Sequence, residues 1–213
     1  MSNQKHPIAN HPLTPQKAAG QLILVLGGAR SGKSAFAQRL AASYGRRVAF
    51  IATATADDDE MQERIARHRT SRPDSWHTIE EPLELAGAVR RAGSVADILL
   101  LDCITLWLAN WLARQERVTN HTNEPAWDAA ALAEVETLLS TFAALGPDKT
   151  LLVVTNEVGL GIVPPYPLGR IYRDVLGSVN QRLAQAADRV YLLIAGIAVD
   201  IKRLRDVAED YQF

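Results

Sequence analysis

The chain has 213 residues, 47% hydrophobic and 22% charged, with 23 Lys+Arg against 24 Asp+Glu. That length suits one domain of α/β size and can bury a full core without staples. A formal charge of −1 excludes a general polyanion binder, so neither nucleic acid nor an anionic membrane is an expected partner.

One cysteine, Cys103, excludes an internal disulfide framework and any CxxC zinc site. A reduced, cytoplasmic setting is expected. No apolar run nears the roughly 18 residues of a membrane helix, so no membrane insertion is expected. Residues 1–20 are polar, contain Pro and lack the apolar stretch of a secretory signal. They read as a flexible tail, with 21–213 as a single domain.

In chain order, the first apolar run is Leu22–Leu26 (LILVL), followed by a helical pattern at Lys33–Tyr44. A second run, Val48–Ala52, precedes a helical segment at Asp57–Arg69, where four acids open and Arg67-His68-Arg69 close in the sense a helix dipole favours. A helix over Leu83–Arg91 leads to a third run, Ile98–Leu101. Helices over Thr105–Arg117 and Ala126–Leu145, split by the polar turn Val118–Pro125, lead to the fourth run, Leu151–Thr155. The Pro-rich loop Gly161–Pro167, a helix over Leu168–Ala187 and a fifth run, Val190–Ile194, complete the pattern. Short continuous apolar runs suit strands buried on both faces. Their alternation with helices implies a mostly parallel sheet covered on both sides.

Directly after the first run, Gly27-Gly28-Ala29-Arg30-Ser31-Gly32-Lys33-Ser34 fits GxxxxGK[ST] between a strand and a helix. Glycines there let the backbone curl so that N–H groups face phosphate oxygens, beside the positive end of a helix. Lys33 is placed for the β- and γ-phosphates and Ser34 for Mg²⁺. It is one of only five lysines, against eighteen arginines. Asp102 closes the third strand on the edge where ligands of such sheets bind. It is a second Mg²⁺ ligand or, alternatively, a cap for the helix that follows. The guanine-reading NKxD of a switch GTPase is missing: Thr155-Asn156-Glu157-Val158 lacks its Lys and Asp. A compact nucleotide-dependent enzyme on a small substrate is the better class. Met61, Ile65 and His68 share one helical face. On spacing, His68 is either an inward-facing histidine or a nucleophile whose neighbouring arginines favour the neutral imidazole.

Together, GGARSGKS at 27–34, FIATA at 50–54, DDEMQERIARHRTSRP at 58–73, TNEVGLGIVP at 155–164 and VNQRLAQAADRVYLLIAGIAVDIK at 179–202 resemble the bifunctional adenosylcobinamide kinase / adenosylcobinamide-phosphate guanylyltransferases. The resemblance implies a P-loop NTPase-like α/β fold and a homotrimer. It implies phosphorylation of the aminopropanol hydroxyl of adenosylcobinamide by ATP or GTP. GMP from GTP then passes to adenosylcobinamide phosphate through a guanylyl-histidine, which matches His68. It further implies nucleotide contacts at Ala52, Thr53, Ala54, Arg69, Thr70, Ser71, Arg72, Glu80 and Asp102, with Mg²⁺ at Ser34 and Asp102. Glu80 alternatively reads as a solvated acid. Asn156, Glu157, Arg170 and Arg173 keep capping or solvated readings beside functional ones, and Trp107 and Trp111 read as packing rather than corrin stacking. A plain small-molecule kinase and a GTP-binding switch are the alternative functions.

Overall fold

The computed structural model describes residues 20–55, 72–119 and 124–204. Residues 1–19 of the expected tail, the 57–69 helix and His68, Arg69, Thr70 and Ser71 lie outside the described residues, as does the closing segment 205–213.

Seven strands form one sheet: β1 Gln21–Gly27, β2 Val48–Ala52, β3 His77–Glu80, β4 Ile98–Asp102, β5 Thr150–Val154, β6 Arg189–Ile194 and β7 Ile197–Asp200. Their order across the sheet is β3-β2-β4-β5-β1-β6-β7. All neighbours are parallel except β6 and β7, which form an antiparallel edge pair. The helices among the described residues are α1 Lys33–Ser43, α2 Leu85–Val95, α3 Ile104–Thr119, α4 Glu124–Ala143 and α5 Pro167–Ala186. The expected mostly parallel, doubly covered sheet is what the chain forms. β3 and β7 are additions to it.

The continuous apolar runs divide by alternation once paired. Leu22, Leu24 and Leu26 face one core with Ala49, Ile51, Leu99, Leu101, Leu151 and Val153. Ile23 and Val25 face the other with Phe50, Leu100, Leu152 and Val154. Successive side chains of a strand point to opposite faces, so a run buried on both sides needs apolar residues at every position.

The two faces are covered unequally. α1 packs on the second face through Phe36, Ala37, Leu40 and Ala41. α2 to α5 cover the first, α4 through Trp127, Ala131, Val135, Leu138 and Phe142 and α5 through Ile171, Val175, Val179 and Leu183. These steps of three and four keep one stripe inward. Trp107 is fully buried and Trp111 4% exposed, with the Trp107 indole N–H donating to the Leu83 carbonyl at 3.0 Å. Both tryptophans are core, and the polar atom of Trp107 is satisfied where it is buried.

Because the six parallel strands run in register, their C-terminal ends share one edge of the sheet. Gly27, Ala52, Glu80, Asp102, Val154 and Ile194 close their strands there.

Candidate active site

The loop between β1 and α1 is shaped by its neighbours on β6 and beyond. Gly27 has φ +153°, and a Cβ on it would lie 2.3 Å from the Leu193 carbonyl oxygen and 2.9 Å from Ser31 Oγ. No side chain fits there. Arg30 and Gly32 also take positive φ, 56° and 93°, so the backbone reverses its curl twice within three residues, as anion-binding concavities require. The loop is backed by the β6–β7 turn, where the Gly196 N–H donates to the Ser31 carbonyl at 3.0 Å.

Gly28, Ala29 and Arg30 form an exposed lip, whereas Ser31 and Lys33 are buried. The Lys33 ammonium donates to the Gly28 carbonyl at 2.6 Å across the mouth of the loop. Ser31 Oγ is buried with no hydrogen-bond partner, and a buried hydroxyl left unpaired is costly. An anion in the loop would give it one. Ser34, half-buried at the start of α1, sits at the helix end that attracts negative charge.

Beside β1 in the sheet, β5 continues past its last paired residue. The Thr155 N–H donates to the Val25 carbonyl and the Glu157 N–H to the Gly27 carbonyl, both at 3.0 Å. Asn156 and Glu157 therefore stand between the loop and Asp102, which is half-buried at the end of β4. Asp102 is two strands from β1, about 10 Å at the usual strand spacing. A buried set of bonds holds the β5 tip. Thr155 Oγ1 donates to Asn180 Oδ1 at 2.8 Å, and Asn180 Nδ2 donates to the Asn156 carbonyl at 2.9 Å. The Asn156 N–H donates to Thr105 Oγ1 at 2.8 Å. Sequence reading did not single out Asn180 or Thr105, because a bond between α5 and a strand end carries no local signal.

Of the residues after β2, Ala52 and Ala54 are half-buried on the shared edge. Thr53 is different. It is completely buried, and its hydroxyl donates to the Cys103 carbonyl at 2.7 Å while accepting from the Cys103 N–H at 2.8 Å. Its side chain ties the tips of β2 and β4 together, which leaves the backbone as the part that could meet a ligand. Asn110 on α3 extends the tie by donating to the Thr53 carbonyl at 2.9 Å. Burial, then the neighbouring Asp102 carboxylate, pushes the Cys103 thiol up to about 11. It stays protonated and is no nucleophile at neutral pH.

Arg72 lays its guanidinium 3.9 Å from the centre of the Phe50 ring and donates to Thr78 Oγ1 at 3.4 Å. Glu80 is exposed at the end of β3. Next to it, Glu81 has a structural task. Its carboxylate accepts from the N–H groups of Leu83 and Glu84 at 3.2 and 3.1 Å and pairs with Arg91 at 2.9 Å. Burial alone would raise its pKa, but the Glu84 N–H, Arg91 and the Leu83 N–H together hold it below the ordinary value. Of the two arginines whose role the sequence left open, Arg170 donates to the Pro164 and Pro165 carbonyls, and Arg173 pairs with Asp174.

The structure thus brings the Gly27–Ser34 loop, Ala52–Ala54, Glu80 and Asp102 to one edge. An anion loop beside a carboxylate and a row of strand tips can seat a nucleotide and a second substrate.

Residues 23–201 match the family model described as cobinamide kinase / cobinamide phosphate guanyltransferase. Three curated relatives are similar over most of their length. The bifunctional adenosylcobalamin biosynthesis protein CobP of Pseudomonas aeruginosa is 44% identical over 84% of this chain and 96% of its own. The protein CobU of Escherichia coli is 40% identical over 85% and 99%. CobU of Salmonella typhimurium is 43% identical over 85% and 99%.

Proposed function

Because the chain belongs to the cobinamide kinase / cobinamide phosphate guanyltransferase family, we propose that the shared strand edge carries both reactions around one nucleotide loop. The chain is a bifunctional kinase and guanyltransferase of adenosylcobalamin biosynthesis. The observation that carries the site assignment is the curled loop with buried Lys33 and the unpaired Ser31 hydroxyl at the start of α1.

In the kinase step, the loop N–H groups and Lys33 hold the β- and γ-phosphates. The aminopropanol hydroxyl of adenosylcobinamide attacks the γ-phosphorus, its proton passes to solvent, and the nucleoside diphosphate leaves. Gly28, whose carbonyl accepts from Lys33, releases the ammonium to phosphate. In the transfer step, a nitrogen of His68 attacks the α-phosphorus of GTP and pyrophosphate leaves. An oxygen of adenosylcobinamide phosphate then attacks the guanylyl phosphorus and returns the imidazole. Two moderate displacements replace one difficult one. Arg69, Thr70, Ser71, Arg72, Glu80 and the Ala52–Ala54 backbone line the GTP site in this reading.

Ser34 and Asp102 are hard oxygen donors at the phosphate end, a set that fits Mg²⁺ completed by phosphate oxygens. The ion would neutralise charge on the departing phosphates. The exposed outer residues Ile194, Ile197 and Val199 on β6 and β7 support assembly into a homo-oligomer, a trimer by resemblance. Among the described residues, no helix is long and apolar enough to cross a membrane.

The test uses GTP labelled at the α- or the γ-phosphorus. Acid-labile, base-stable label on the protein from α only, absent in His68→Ala, is the expected result. Phosphate transfer to adenosylcobinamide without covalent label would reduce the function to a plain kinase. GTP binding with neither would leave a switch protein. Lys33→Ala should cripple both steps.

A further inference from the structure

The stretch that follows β5 exposes an unusual amount of apolar side chain. Leu160 is 88% exposed, Ile162 97%, Val163 58% and Tyr166 61%. It is nevertheless a built loop. At its start the Gly159 N–H donates to the Glu157 carboxylate at 2.7 Å. At its end the Arg170 guanidinium donates to the carbonyls of Pro164 and Pro165 at 3.1 and 3.0 Å. Tyr166 lies so close on the first turn of α5 that a Cβ at Gly169 would meet its Cε2 at 2.4 Å. Three prolines at 164, 165 and 167 fix φ through this stretch. Large apolar groups held in water by such clamps mark a surface that something apolar covers.

The loop's position says what covers it. It departs from Glu157, whose N–H is bonded to Gly27 of the nucleotide loop, so it flanks the place where the acceptor hydroxyl meets phosphate. That hydroxyl sits at the end of an arm of a broad, flat macrocycle with methyl groups on both faces. Such a ring is too wide to enter between strand tips. It must rest on the surface beside them while only the arm reaches in. We propose that loop 159–166 is the platform for the corrin ring of the acceptor, with Leu160 and Ile162 against the macrocycle and Arg170 positioning the loop from behind. The inference rests on the cobinamide reading above and adds to it the surface that recognises the acceptor. It makes this loop a determinant of acceptor specificity, separate from the residues that hold nucleotide.

The experiment compares wild type, the double variant Leu160→Asn/Ile162→Asn and the conservative Ile162→Leu. Kinase assays give KM for adenosylcobinamide and for GTP, equilibrium dialysis gives the Kd of adenosylcobinamide, and sedimentation gives the assembly mass. Removing two apolar contacts should raise the corrinoid KM and Kd about tenfold or more, with KM for GTP and the mass unchanged and Ile162→Leu close to wild type. Unchanged corrinoid binding in the double variant overturns the proposal. So does a fall in assembly mass, which would make the loop a contact between copies. If wild type itself neither binds nor phosphorylates adenosylcobinamide, the parent reading fails and the platform with it.

Discussion

Thr53 offers the sharpest quantitative test of how the site edge is held. Thr53→Val keeps the side-chain shape and removes the hydroxyl that serves both the N–H and the carbonyl of Cys103. Thr53 is 0% exposed, so water cannot replace the lost partner without opening the packing. The Cys103 N–H left unpaired costs about 1–3 kcal/mol, and its carbonyl, which keeps the Trp107 N–H at 3.1 Å, loses one hydrogen bond of about 1 kcal/mol, so the substitution should cost about 2–4 kcal/mol. Thr53→Ser keeps both bonds and removes one buried methyl, a loss of about 1 kcal/mol. For a chain of this size each kcal/mol moves Tm by roughly 2–4 °C, which places the valine variant roughly 4–16 °C below wild type and the serine variant within about 4 °C. Urea unfolding followed by the fluorescence of the buried Trp107, Trp111 and Trp127 measures both. A valine variant as stable as the serine variant would refute the reasoning, because the tie would then contribute no more than a methyl group.

Two further outcomes follow from the same edge. Gly27→Ala forces a Cβ to within 2.3 Å of the Leu193 carbonyl oxygen, so β1 and β6 must part; nucleotide affinity by fluorescence titration should fall at least about tenfold, a difference of about 1.4 kcal/mol. The pKa of Glu81 is held below its ordinary 4.5, so its contribution is full above that value and is lost as pH falls through the depressed folded value. The stability gap between wild type and Glu81→Gln, measured by urea unfolding, should therefore shrink as pH drops from 7 to 3; a constant gap would mean the charge is not involved.

How much was legible depends on whether a feature is local. The five buried strands were, because burial on both faces leaves an unbroken apolar run. β3 and β7 were not: HTIE and IAVD are four residues long and largely exposed, as edge strands often are. The helix over Leu83–Arg91 was expected to stop at its two arginines, yet α2 runs to Val95, since Ala92 is fully buried and extends the inward stripe. The nucleotide loop was readable from its spacing. The Thr53 tie was not, because its partner lies 50 residues away, nor was the bond from Asn180 to the β5 tip. Gly161–Pro167 reads as a Pro-rich loop from its composition, but only the folded chain reveals that its apolar side chains face outward.

The place of β1 in the sheet sets when this protein becomes competent. Its two neighbours, β5 and β6, begin at Thr150 and Arg189, and the turn that backs the nucleotide loop ends at Gly196. A ribosome adding roughly 5–20 residues per second completes the GxxxxGKS stretch roughly 10–30 s before it makes that backing turn. For most of the interval, until residue 150, the loop has neither flanking strand, and until residue 189 it has β5 alone. Pairings this distant in sequence also slow folding itself. A prematurely ended chain that carries the whole motif should therefore retain no GTP, and nucleotide retention reports that synthesis has passed residue 196.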